Sequence, residues 1–186
     1  HAERILDLEA AAIAAVERTR PTLAGELQVG LFATAAAEIL PEVLARTRAH
    51  HPGLAVRSRE MDVDDVYDAV ASGSGDLAIG LDYPDVPIRR DPALRLHQLY
   101  RERFALAAPA GSLPGVQQIS LADTAGLGWI LPPEESHYGQ AVRTACRRAG
   151  VEPQLRHEVN DTAASLALVE AGLGVSPSTA LMHKLR

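Results

Sequence analysis

Between Glu26 and Gly80 the chain passes twice from a strand-like to a helix-like stretch before reaching a third strand, and this order leaves few folds open. Glu26-Leu-Gln-Val-Gly-Leu31 alternates, and Thr34 then opens a helix that meets Pro41 early and runs over Ala35–His50 until His51-Pro-Gly53 stops it. Leu54 to Glu60 reads as a second strand, Asp62 to Ser72 as a second helix and Gly75 to Gly80 as a third strand. Strands separated by helices in this way build a parallel sheet, and such sheets bind ligands at the carboxyl ends of their strands. A receptor site is therefore expected along one sheet edge.

The remainder repeats the architecture. Asp82 to Pro92 is a loop rich in Pro and Asp, and Leu94 to Leu99 alternates as a strand; a second unit is expected to begin near Arg101. Its strands are predicted at Arg103–Ala108, Gly128–Leu131 and Leu155–Val159. Its helices are predicted from Tyr138 to Ala149 and from an Asp161-Thr162 cap to Ala171. The fold class is α/β: two Rossmann-like subdomains with a ligand cleft between them. Ahead of both, His1 to Arg20 reads as a helix with Ile5, Leu6, Leu8, Ala12, Ile13 and Val16 on one stripe. The stripe favours pairing with a second copy of itself.

With 47% hydrophobic residues among 186, the chain can bury real cores. Its net charge of −6 and lack of a basic tract give this segment no nucleic-acid footprint of its own. Cys146 is the one cysteine, so no internal disulfide can form and a cytoplasmic setting fits. No run approaches the ~20 apolar residues of a membrane helix.

Several residues carry two readings. Thr34 at a strand-to-helix handover is either a plain N-cap or a hydroxyl offered, with Ala33 and Ala35 beside it, to an anionic ligand at a helix start. Ser136, preceded by Pro132-Pro133-Glu134-Glu135, occupies the corresponding handover of the second unit. Two such starts facing each other would suit a small carboxylate, although Glu134 and Glu135 would repel it. Leu81 and Asp82 should line the same cleft, with a loop turn as the alternative for Asp82. Asp62, Asp64, Asp65 and Asp68 lack the Gly and Glu of a calcium loop and fit first-turn helix carboxylates, with Asp62 able to reach a ligand. Asn160 is placed to point into the cleft. Cys146 sits on an apolar helix face as a core thiol, and the histidines show no zinc spacing and read as surface or turn residues. No catalytic motif, metal site or cofactor is expected.

The chain resembles the effector-binding region of LysR-type transcriptional regulators, which share a fold with type 2 periplasmic binding proteins. The matching pieces are Leu27-Gln-Val-Gly30 with Thr34 and Leu40-Pro41, Pro52-Gly-Leu54, Gly75-Asp-Leu-Ala-Ile79, Leu99-Tyr-Arg-Glu-Arg-Phe104 and Leu166-Ala-Leu-Val-Glu-Ala-Gly-Leu-Gly-Val175. The resemblance implies a small-molecule effector held near Ala33, Thr34, Ala35, Asp62, Leu81, Asp82, Pro132, Pro133, Ser136 and Asn160. It also implies a homodimer or homotetramer, and DNA contact only through a winged helix-turn-helix outside this chain. Residues 1–21 would be the linker helix, 26–100 subdomain I and 101–175 subdomain II, with 176–186 returning to subdomain I as its final helix. Ser176-Pro177 reads as the cap and first position of that helix, which suggests residues missing between Val175 and Ser176. A solute-binding protein of a transport system shares the fold and is the alternative; an enzyme on this scaffold would need Cys146 exposed beside a histidine.

Overall fold

The alternation along Glu26–Leu31 is realised as β1 (Ala24–Leu31), the central strand of a three-stranded parallel sheet. The structure, a computed structural model, describes residues 23–185; the linker helix predicted over 1–21 lies outside the described residues. On one side of β1 lies β2 (Gly53–Glu60), in register from Ala24 against Gly53 to Leu31 against Glu60. On the other lies β3 (Leu77–Ile79), with Val29 against Leu77. Burial deepens along β1 toward its carboxyl end, where Val29 and Leu31 are buried.

The helix expected over Ala35–His50 forms as two pieces, α1 (Ala33–Glu38) and α2 (Leu40–His50), broken at Ile39. Pro41 is the cause. It has no N–H for the Ala37 carbonyl, and its ring crowds that same carbonyl, so α2 restarts with proline in its first turn, where the missing donor is harmless. The helix expected over Asp62–Ser72 is shorter, α3 (Val66–Ala71). Asp62 and Asp64 lie in the turn ahead of it, so neither serves as a first-turn carboxylate there. Val66 and Tyr67 pack under the crossing segment with Ile88.

That segment carries the first correction of an entire element: Leu94–Leu99 forms no strand. Its alternation predicts one apolar face, yet Leu96, Leu99 and Tyr100 are all exposed, and no neighbouring strand among the described residues pairs with them. A strand without a ladder partner leaves its backbone groups to water.

The second unit centres on β5 (Gly128–Leu131), buried along its whole length. Trp129 and Leu131 face α4 (His137–Arg148) and meet Val142, Cys146, Val151 and Val175. Ile130 points the other way to Leu166 and Val169 of α5 (Thr162–Glu170). A strand covered on both faces reads as a continuous apolar run, as this one does. Parallel to β5 runs β6 (Gln154–Glu158). On the other side Val175 bridges Trp129, and the chain continues into β7 (Ser176–Ser178), antiparallel to β4 (Ala105–Ala107). Ser176-Pro177 therefore does not start a helix. The expected final helix is reduced to a single 3-10 turn, Met182–Leu185, which touches α1 and α5. Ser176–Ser178 itself supplies the strand that should follow Val175, so the ladder needs no intervening residues there.

Candidate functional site

The carboxyl ends of β1, β2 and β3 and those of β5 and β6 lead into loops that meet one another across a crevice, and the predicted site residues fall on these loops and on the helices that follow. Thr34 is the second residue of α1 and not its cap; Phe32 holds the cap position and no side chain bonds the free N–H groups there. Thr34 is only 3% exposed and its hydroxyl has no hydrogen-bond partner among the described residues. Among the described residues no fully buried side-chain polar atom lacks a partner. The slight exposure of Thr34 thus includes its hydroxyl, leaving it free to bond something from outside. Ala35 is fully buried and Ala33 exposed.

Ser136 caps α4: its Oγ accepts from Gly139 N at 3.0 Å and donates to the Pro133 carbonyl at 2.8 Å. Gly139 is required here, because a Cβ would lie 2.0 Å from the Pro133 oxygen. The Pro132 carbonyl accepts from Arg143 Nη1 at 2.8 Å, so both proline peptides are fixed against the first turns of α4. The Leu81 carbonyl accepts from Tyr67 Oη at 2.9 Å. Asp82 pairs with Arg90 at 2.9 Å, and the Arg90 guanidinium lies 5.9 Å from the Tyr67 ring centre.

Two acids of the first unit cross the crevice. Asp62 Oδ2 accepts from Asn160 Nδ2 at 3.2 Å, joining two predicted site residues. Asp64 meets His137: Oδ2 accepts from the backbone N–H at 3.2 Å, and Oδ1 lies 2.9 Å from the ring Nδ1. Asp85 and Arg148 form a further ion pair between the units. Behind these contacts the rings of Tyr83, Phe104 and Tyr138 lie near-parallel with centres 5.7 to 6.3 Å apart. Burial, reinforced by the Asp64 charge, pushes the Tyr83 hydroxyl far above its ordinary value, and burial does the same to Tyr138.

Contacts from Asp62, Asp64 and Asp85 span the crevice. A separate space, lined only by residues from Pro132 onward and bounded by Pro132, Tyr138, Asn160, Thr162, Pro177 and Met182, is about 10 Å³, room for about one water molecule. Pro132 and Asn160 line it; Ala33, Thr34, Ala35, Asp62, Leu81, Asp82, Pro133 and Ser136 do not. A larger hollow of about 100 Å³ lies between α2 and the first sheet, walled by Leu27, Val29, Val43, Val56 and Leu77. It gathers almost no polar groups and sits away from the loops at the strand ends, so it lacks what orients a small ligand.

Chemistry of other kinds finds little here. Cys146 is fully buried beside Trp129 and Val142, and burial raises its thiol pKa. Ser178 Oγ lies 3.0 Å from His183 Nε2, but Ser178 is also fully buried and cannot meet a substrate. Among the described residues no three His, Cys, Asp or Glu side chains converge to hold a metal ion. The sequence reading missed Asp64, His137, Tyr83 and Tyr138. Asp64 was absorbed into a helix-start explanation and His137 into the surface, and nothing in local sequence pairs residues 73 positions apart.

Two α/β units linked by a crossing segment, with loops from both meeting at one crevice, define a two-lobed ligand-binding module. A family model described as LysR substrate binding domain matches residues 20–184, and the chain belongs to that family. It is 29% identical over 177 residues to the HTH-type transcriptional regulator TfdS of Cupriavidus pinatubonensis, covering 92% of this chain and 58% of that protein. The chain thus spans little more than half of that relative's length. HinK, a LysR family transcriptional regulator from Pseudomonas aeruginosa, matches in fold with a TM-score of 0.75 at 22% identity, over 95% of this chain and 60% of that one. The BenM effector binding domain with its effector benzoate matches with a TM-score of 0.72 at 25% identity, over 87% of this chain and 72% of that one. Fold and family together identify an effector-sensing domain of the LysR type, and the solute-binding alternative is not favoured.

Proposed function

We propose that this chain senses a small organic acid in the crevice between its two units and passes the result to a DNA-binding domain elsewhere in the same polypeptide. The observation that carries the reading is Thr34, almost wholly buried at the start of α1 with a hydroxyl that no group among the described residues satisfies. Around it, Ala33, Ala35, Asp62, Leu81, Asp82, Pro132, Pro133, Ser136 and Asn160 supply the remaining walls, hydrogen-bonding groups and backbone. A carboxylate fits the start of α4, a 12-residue helix whose positive end faces the crevice. The benzoate bound by the BenM domain is a precedent for that class.

The module acts without catalysis, in the cytoplasm, as a homodimer or homotetramer. Subdomain I comprises 26–100 and subdomain II 101–175, with the final segment closing on the first. The ligand shifts the balance between an open and a closed crevice by binding one more tightly than the other. A panel of small organic acids, amines and sugars screened by thermal shift should yield stabilising ligands among the acids. Stabilisation only by amines or sugars would overturn the ligand class, and none at all would overturn the sensing role. Removing residues 1–20 should lower the sedimentation coefficient, and an unchanged value would remove the dimerising role of that segment.

A further inference from the structure

We propose that the Asp64 carboxylate is a built-in occupant of the start of α4, clasping the crevice shut until a ligand carboxylate displaces it. The inference rests on the proposed sensing role and adds what holds the closed state. Both oxygens of Asp64 are engaged by one residue, His137, the first of α4: Oδ2 by its backbone N–H at 3.2 Å and Oδ1 by its ring Nδ1 at 2.9 Å. That is a two-point grip on a carboxylate by a helix start and an imidazole. α4 carries no acid of its own in its first turn, so the group serving its positive end comes from the other unit.

The grip is braced. Asp64 N–H donates to Asp62 Oδ1 at 3.2 Å, and Asp62 Oδ2 accepts from Asn160 Nδ2 at 3.2 Å. One turn of the first unit thus places two adjacent carboxylates on donors of the second. The charges of the units differ in the same sense. Residues 23–100 hold twelve acidic and seven basic side chains, whereas 101–186 hold eight of each. The lobe that supplies the donors is neutral overall, although it carries Glu134 and Glu135 just ahead of α4, and the net excess of acid lies on the other lobe.

A ligand carboxylate that is to reach the start of α4 has to open these contacts. A ligand carboxylate needs the same His137 donors that Asp64 holds. Its apparent affinity is then lowered by the fraction of time the clasp is shut, and removing the clasp restores it.

The test places spin labels at Ala71→Cys and Ala145→Cys, exposed positions on α3 and α4, in the full chain; native Cys146 is buried and does not label. Distances are recorded with Asp64 intact, Asp64→Ala and Asp64→Asn, and each protein is titrated with benzoate and with neutral benzamide. The clasp predicts a longer and broader distance distribution in Asp64→Ala, with Asp64→Asn between the two. It predicts a benzoate midpoint lowered about fivefold or more in Asp64→Ala, with no such change for benzamide. An unchanged distance in folded Asp64→Ala overturns the clasp. Opening without tighter benzoate binding overturns the displacement. The sensing role fails separately, if no compound of the wider panel binds any form of the protein.

Discussion

Thr34 and Gly139 are the two residues whose surroundings most constrain the crevice, for opposite reasons. The Thr34 hydroxyl is nearly buried yet bonded to nothing among the described residues. Thr34→Val keeps the shape and removes a poorly satisfied polar group, so the melting temperature should hold or rise slightly, a gain of up to about 1 kcal/mol. Affinity for an effector found by screening should fall about tenfold by calorimetry, the loss expected for one hydrogen bond of about 1.4 kcal/mol. Equal affinity would remove Thr34 from the site. Gly139 has no such latitude, since its Cβ would strike the Pro133 carbonyl at 2.0 Å. Gly139→Ala must push the Pro132–Pro133 turn off α4, and chemical denaturation should reveal a loss of about 1 to 3 kcal/mol.

At the scale of elements, strands and helices that carry their own stop signals were legible in the sequence. Ser136 and Asp161 cap α4 and α5, with Asp161 Oδ1 accepting from Ala164 N at 2.6 Å, and Gly128–Leu131 forms the central strand of its unit. Ser136→Ala should cost about 1 kcal/mol of stability in denaturant unfolding, the usual loss for a helix cap; no loss would mean that the Pro132–Pro133 turn holds the helix start without it. The elements misread depend on partners distant in the chain. Leu94–Leu99 alternates as a strand should, but a strand exists only with a neighbour to bond, and none among the described residues pairs with it. Ser176-Pro177 has the local grammar of a helix start, yet the ladder offered by Ala105–Ala107 prevails. The same limit hid half of the crevice. Asn160 was legible as a residue following a strand and Asp62 as a helix-start carboxylate within reach of a ligand, whereas the fork between Asp64 and His137 depends on how two units face each other.

For the whole molecule, the aromatic cluster of Tyr83, Phe104 and Tyr138 ties the units together and sets a ceiling on alkaline stability. Burial raises the Tyr83 and Tyr138 hydroxyls far above the ordinary value of 10.0. Above that value the unfolded chain releases protons that the folded chain retains, so stability is intact below pH 10 and declines as pH climbs past it. At pH 11 the loss should be about 1.4 kcal/mol for each tyrosine, read as a drop in denaturant midpoint. The Tyr83→Phe, Tyr138→Phe double variant should lose much less between pH 9 and 11. Sensing of a small molecule between the two units can be read by amide chemical-shift mapping of a screened ligand on the isotopically labelled chain. Saturable shifts are expected at Thr34, Ala35, Asp62, Asp64, Ser136, His137 and Asn160, on both sides of one crevice. Shifts confined to the apolar hollow beside α2, or to one unit alone, would contradict sensing between the units.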